Sequence, residues 1–202
     1  NMKIAITGAT GFLGRYILKQ LVKEGHICRC WKRFNSDTSG LEDLSGKVEW
    51  VEGDLGDQGS HKRLIRGMDA IVHAALARPR GLQFRANPGK DLMEFLQLNL
   101  MGSLSLINLS KEIGIDRFIF ISTCAVHEVI LDDRTLDETH PLWSLSHYGA
   151  YKASVEKFVH SFGYGEAWKI CAVRPTGIYG LTHPPEQSKW FDLIKRAKKG
   201  GR

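Results

Sequence analysis

The chain has 202 residues, 43% hydrophobic and 25% charged, with a formal net charge of +6. These are ordinary figures for a globular protein and suit one sizeable domain, or one domain with an appendage. No apolar run approaches the roughly 18 residues needed to span a bilayer, and the first residues lack the layout of a secretory signal, so a cytoplasmic protein without a membrane partner is expected.

Asn1 precedes Met2 and is left out of the reading. "KIAIT" (3–7) reads as a buried strand. Residues 12–24 follow as a helix, with Phe12, Leu13, Tyr16, Ile17, Leu21 and Val22 on its apolar face. Strands are expected at "HICRCW" (26–31) and "KVEWVEG" (47–53), a short helix at 57–67 and a strand at "AIVHAA" (70–75). A long amphipathic helix covers 90–113 and stops at Gly114. "RFIFIS" (117–122) is a strand, 127–146 a polar loop, 148–162 a helix, "KICAVRP" (169–175) a strand and 188–199 a helix. This alternation predicts an α/β fold, a doubly wound parallel sheet with helices on both faces. The alternation breaks after Pro175, at "HPPEQ".

The four cysteines, Cys28, Cys30, Cys124 and Cys171, match neither a zinc site nor a disulfide framework. Cys28 and Cys30 fall on one side of a strand and are read as buried free thiols, in keeping with a reducing compartment. The positive excess sits in "CWKRF" and "KRAKKGGR". No stacking aromatics interleave with it, so nucleic acid is not an expected partner. The terminal run reads as a solvated helix end.

"ITGATGFLGRY" joins the first strand to the first helix, with Gly8, Gly11 and Gly14 spaced three apart. Glycines here permit a tight turn, close approach of backbone to a phosphate and close helix packing. The helix start adds free N–H groups and a positive dipole end, so a dinucleotide site is predicted.

The G-x-x-G-x-x-G spacing resembles the short-chain dehydrogenase/reductase family, and "TGATGFLG" resembles its extended branch, which holds sugar-nucleotide epimerases and dehydratases. "GDL" (53–55), "VHAA" (72–75), "NLMGS" (99–103), "ISTCAVH" (121–127), "YGAYK" (148–152) and "RPTGIYG" (174–180) resemble its further motifs, in order along nearly the whole chain. The resemblance implies an NAD(P)-binding Rossmann fold. It places Gly8, Thr10, Gly11, Phe12, Leu13 and Gly14 against the cofactor, with His73, Ala74 and Ala75 beside it and Ser122 and Pro175 near the nicotinamide. It gives Asp54 the adenine amino group and Leu55 the adenine ring, although Asp54 could instead cap the helix that follows. Asn99 is a candidate fourth member of the site or a packed amide bonded to backbone.

At the end of the second strand Lys32 stands where the family has an Asp, and Arg33 follows. Two cations without a carboxylate suit a 2′-phosphate, so NADP(H) is expected, with NAD as the alternative. A free tyrosine has a pKa of about 10. Lys152 lies four residues after Tyr148, on the neighbouring helix position, where its charge favours the phenolate. Tyr148 is therefore read as the acid/base, Lys152 as its partner and a ribose contact, and Thr123 as the hydroxyl that bonds the substrate oxygen. Tyr151 is read as packing.

Two departures stand out. His127-Glu128 replaces the family's Tyr-Gly, which reshapes the pocket floor or adds a titrating group; His127 itself is read as a satisfied loop histidine, and His73 as structural rather than catalytic. Family members also carry about a further hundred residues, so residues 2–174 are expected to form the dinucleotide-binding domain and 175–202 the start of a substrate region that is largely absent. The implied function is an NAD(P)-dependent epimerase/dehydratase-like oxidoreductase acting on a nucleotide sugar by transient hydride transfer, as a homodimer through the helices at 90–113 and 148–162. Arg174 is either a substrate contact or an ion-pair partner. The alternatives are an NADPH-dependent carbonyl reductase of steroid/flavonoid type and a non-catalytic NADP(H)-binding regulator.

Overall fold

Ala5 and Ile6 have no exposed surface, and the run that contains them, β1 (Lys3–Thr7), lies at the centre of the sheet. The computed structural model describes residues 1–44, 46–77, 91–182 and 184–200. Beside β1 stand β2 (Ile27–Lys32), β3 (Val48–Glu52), β4 (Ala70–His73), β5 (Arg117–Ile121) and β6 (Lys169–Val173), in the order β3-β2-β1-β4-β5-β6. Every pairing is parallel, as in Ala5 opposite Arg29 on one side and Ile71 on the other. The expected doubly wound sheet is thus present. Its order reverses between β1 and β4, and ligands of such sheets bind outside the carboxyl ends of the strands at that reversal.

On one face lie α2 (Gln58–Ile65), α3 (Leu92–Leu96), α4 (Gly102–Glu112) and α5 (His147–His160). They close over Leu64, Ile71, Leu106, Ile107, Phe118, Phe120 and Val155, all fully buried. Each such side chain stabilises the fold by about 1.5–3 kcal/mol. On the other face α1 (Phe12–Lys23) covers Ile4, Ile6, Leu18, Cys28 and Cys30. Both thiols are free and buried, as expected, whereas Cys124 and Cys171 are exposed. Burial raises the pKa of Cys28 to about 11 and holds Cys30 well above its usual value.

The apolar face of α1 differs from the sequence expectation. Leu18 is fully buried, while Tyr16 is 49% exposed. Tyr16 donates to the Leu181 carbonyl at 2.7 Å and its ring stands 5.4 Å from Phe12, so it holds the segment after β6 rather than the sheet. The long helix runs from Leu92 to Glu112, with a π-helical turn, Gln97–Met101, joining α3 to α4. Among the described residues it is the one helix long and apolar enough to cross a membrane by length and composition, and its inner face packs in the sheet layer through Phe95, Leu106 and Ile107. Gly114, at φ 81°, ends it as expected. The last helix shortens to α6 (Phe191–Lys198), none of whose residues is buried. Lys90, His183 of "HPPEQ" and Arg202 lie outside the described residues.

Candidate functional site

The turn from β1 to α1 must pass under β4's exit. Gly8 takes φ 74°, open to glycine without strain, and a Cβ there would lie 2.7 Å from the Ala74 carbonyl carbon and 2.8 Å from Ala75 N. A Cβ on Gly14 would lie 2.0 Å from the Gly8 oxygen. These glycines let helix, turn and strand meet at backbone contact. Gly11 is the N-cap of α1 and offers no side-chain cap, so the helix start presents its N–H groups outward. A crevice of about 890 Å³ opens there, along the carboxyl ends of the strands. Gly8, Thr10, Gly11, Phe12, Leu13 and Gly14 line one wall, and Ala74 and Ala75 face them.

His73 and Asn99 do not line the crevice, which corrects their placement against the cofactor. Both are fully buried and support it from behind. Thr7 Oγ1 accepts the N–H groups of Ala74 (3.1 Å) and Ala75 (3.0 Å), so its own proton goes to His73 Nδ1 at 2.6 Å. His73 Nε2–H then donates to Ser103 Oγ at 2.8 Å, and Ser103 donates to the Asn99 carbonyl at 2.5 Å. Burial, with Lys152 and His61 adding to it, lowers the pKa of His73 to about 3, which keeps the ring neutral in this relay. The Asn99 amide exchanges two hydrogen bonds with Ala77, each 2.8 Å, and donates to the Phe95 carbonyl at 3.0 Å. The backbone-bonded alternative is the one observed: Asn99 fixes the loop after β4, of which Leu76 and Ala77 also line the crevice.

At the β2 end, Lys32 and Arg33 line the crevice and are exposed at its rim, with Ser36, whose hydroxyl accepts the Arg33 N–H at 2.9 Å. Asp54 and Leu55 form the neighbouring wall. Asp54 Oδ1 accepts from Gly56 N at 2.8 Å and Asp57 N at 3.1 Å, while the cap of α2 is Asp57, which accepts from Gly59 N. Asp54 therefore shapes the turn before the helix and does not cap it.

At the far end, α5 brings Tyr148 and Lys152 to the crevice opposite Ser122 and Thr123, which follow β5, and Pro175, which follows β6. Ser146 caps α5 by accepting the Gly149 N–H at 3.0 Å. Tyr148 is half-buried, with its ring 5.8 Å from that of Tyr151. Tyr151 is 2% exposed and packs edge-on against Phe95, as expected of a packing residue. Lys152 is 4% exposed, and its Nζ donates to the Ile121 carbonyl at 2.6 Å and lies 4.4 Å over the Phe120 ring. Burial lowers its pKa to about 7, against the opposing pull of Glu156. Thr123 Oγ1 accepts the Ala125 N–H at 3.2 Å and starts a 3-10 turn, Cys124–His127.

Ser122 is buried and donates to Glu156, which is fully buried and takes a bidentate pair from Arg174 with contacts of 2.7, 3.0 and 3.2 Å. Arg174 is thus an ion-pair partner. It also donates to His127 Nε2 at 3.0 Å, so His127 gives its Nδ1 proton to the Pro141 carbonyl at 3.2 Å. His127 is the satisfied loop histidine expected, and it does not line the crevice.

Several lining residues escaped the sequence reading: Trp31, Ser36, Leu76, Ala77, Thr182 and Lys189. Trp31 was legible as strand but not as a wall, since its indole N–H goes to the Ser60 carbonyl at 3.3 Å. Thr182 and Lys189 come from the segment after the sheet, where nothing in the alternation indicated a return toward the crevice.

The model of the family described as "NAD dependent epimerase/dehydratase family" matches residues 4–202. Mouse dTDP-D-glucose 4,6-dehydratase is 27% identical over 208 residues, covering 98% of this chain and 57% of that protein. A putative dihydroflavonol 4-reductase of Synechocystis is 26% identical over 163 residues, covering 81% and 41%. A short-chain dehydrogenase/reductase superfamily protein from Agrobacterium tumefaciens, solved with bound NAD, superposes with a TM-score of 0.70 at 25% identity, covering 85% of this chain and 48% of that one. The chain spans about half the length of the relatives it matches.

Proposed function

The chain belongs to the NAD dependent epimerase/dehydratase family, and we propose that it supplies the dinucleotide crevice and the acid/base group of an NAD(P)-dependent enzyme acting on a nucleotide sugar. One observation carries this reading: the glycine cradle and the Tyr148–Lys152 pair line the two ends of one continuous crevice. The residues fit a dinucleotide. Without a Cβ at Gly8 and Gly14, the turn packs at backbone contact on Ala74 and on the start of α1, and the uncapped start of α1 leaves its N–H groups for a pyrophosphate.

A nicotinamide held there would supply reversible hydride transfer with a sugar carbon. Tyr148 would remove the hydroxyl proton as the hydride leaves, and give it back on reversal. Thr123 would hold the same substrate oxygen by a hydrogen bond. Lys152, anchored on the Ile121 carbonyl, would present its remaining protons to the ribose and its charge to Tyr148. Ser122 is held by Glu156 and would flank the ring. Lys32 and Arg33 would pair with a 2′-phosphate, which favours NADP(H) over the NAD carried by the Agrobacterium relative. Nucleotide-sugar chemistry follows the mouse dehydratase. Exposed Met93, Met101 and Phe158 on α3, the π turn and α5 are the surface through which a homodimer would form.

The test is turnover of a panel of nucleotide sugars by the unchanged protein and by Tyr148→Phe, with cofactor followed in parallel. The expected result is sugar conversion without net cofactor consumption, lost in the variant. A second reading, net carbonyl reduction, is favoured by Lys32 and Arg33 together with the dihydroflavonol reductase relative. It predicts stoichiometric NADPH consumption. NADPH binding with no turnover of sugar or carbonyl by the unchanged protein would point to the non-catalytic regulator.

A further inference from the structure

Glu128 is the residue that follows the Thr123 turn, and it lies outside the crevice lining. Its Oε2 accepts the backbone N–H groups of Leu145 at 2.6 Å and Ser146 at 2.7 Å. Both of its oxygens accept the Ser146 hydroxyl, at 2.9 and 3.0 Å. That hydroxyl accepts in turn the Gly149 N–H inside the first turn of α5. A carboxylate has lone pairs for all of these donors and is an acceptor only, so the set is satisfied by charge-assisted bonds at the positive end of a 14-residue helix.

The same two segments touch elsewhere. A Cβ on Gly149 would lie 2.4 Å from the Ala125 carbonyl oxygen, and Ser144 Oγ donates to that oxygen at 3.2 Å. The backbone of the Thr123 turn and that of the Tyr148 helix therefore lie in direct contact, and Glu128 is the charged side chain that spans them. Its neighbour His127 accepts from Arg174, which is held by Glu156. The dipeptide thus ties one side of the turn to the core and the other to the start of α5. The motif that "ISTCAVH" resembles has glycine at position 128, and glycine has no side chain with which to make this tie.

We infer that Glu128 is a positioning residue: its carboxylate clamps the first turn of α5 to the Thr123 turn and so sets the spacing between the Tyr148 and Thr123 hydroxyls. This rests on the proposed roles of those two groups. Glu128→Ala removes the clamp. Glu128→Gln keeps the volume and a carbonyl oxygen for the Leu145 and Ser146 N–H groups, but loses the charge and turns an amide N–H₂ toward the Ser146 hydroxyl, so it tests the charge in a variant that retains the packing.

The test has two arms. In the first, the ring resonances of carbon-13-labelled tyrosine are compared between the unchanged protein and both variants, with Tyr148 assigned through Tyr148→Phe. This arm needs no substrate. The Tyr148 signal moves in both variants, while that of Tyr164, 90% exposed on the far end of the helix, stays. In the second arm, NADPH affinity stays within about threefold while turnover of nucleotide sugar falls about 10- to 100-fold, the scale expected of a misplacement near 1 Å. A lower melting temperature with an unmoved Tyr148 signal would reduce Glu128 to a helix cap and overturn the inference, as would unchanged turnover. Failure of the catalytic reading would show itself separately: Tyr148→Phe would turn over like the unchanged protein, while the resonance arm would still decide for or against Glu128.

Discussion

Replacing Lys152 by methionine isolates the cost of keeping an amine under the crevice. The ammonium is 4% exposed, and its pKa falls from 10.5 to about 7, chiefly through burial. The difference, 10.5 − 7, at about 1.36 kcal/mol per unit, sets an upper bound of about 5 kcal/mol. The sign follows from proton counts. Between pH 7 and 10.5 the unfolded chain holds a proton that the folded chain has released, so stability rises with pH across that window, and the full penalty is present below 7. Methionine keeps the packing over Phe120 but leaves the Ile121 carbonyl without its 2.6 Å bond, a loss of about 1–3 kcal/mol. The variant should therefore be more stable than the unchanged protein by about 2–4 kcal/mol near pH 6, with the gap closing by about 1.4 kcal/mol per pH unit above 7. Urea denaturation between about pH 6 and 8.5 reads this. The upper limit avoids the range above about 9, where Cys28 and Cys30 ionise only in the unfolded chain and lower stability with rising pH. A pH-independent gap, or a variant less stable near pH 6, would refute the reasoning.

Gly14→Ala would place its Cβ 2.0 Å from the Gly8 oxygen, so α1 must retreat by about 1 Å. A loss of NADPH affinity of about 100-fold is expected in a fluorescence titration, and unchanged affinity would count against the cradle. Lys32→Asp should weaken NADPH by about 10- to 100-fold, the worth of one charge-assisted pair, and leave NADH no weaker; equal effects on both would remove the 2′-phosphate argument. Arg174→Met leaves the fully buried Glu156 charge without its guanidinium and should cost about 3–5 kcal/mol in urea denaturation. Arg117→Met, which breaks a half-exposed pair with Asp116, should cost under about 1 kcal/mol.

Elements with an internal period were readable from the chain. β1 and β5 begin where expected, and the glycine spacing located the cradle because only glycine permits backbone contact at Gly8 and Gly14. Strand windows ran long for a physical reason. β4 stops at His73: the Ala74 N–H is shared between the Thr7 carbonyl and Thr7 Oγ1, and the Ala75 N–H turns to Oγ1, a partner 67 and 68 positions away that local pattern does not show. The same limit applied to His73 and Asn99. Their motifs placed them near the crevice, but which way a buried polar side chain faces depends on partners such as Ser103 and Ala77. In α1, periodicity could not separate Leu18 from Tyr16, since a half-covered face binds the segment after β6 with one and the sheet with the other. The clamp by Glu128 was invisible for a similar reason: it stands 17 and 18 positions before Leu145 and Ser146, across a loop.

The most direct test of the account is a crystal structure of the protein with NADP(H). The pyrophosphate is predicted to lie on Gly11 at the start of α1, and the reactive nicotinamide carbon to lie within about 4 Å of where a substrate bonded to Tyr148 would react. A dinucleotide bound elsewhere, or a nicotinamide turned away from Tyr148 and Lys152, would contradict it.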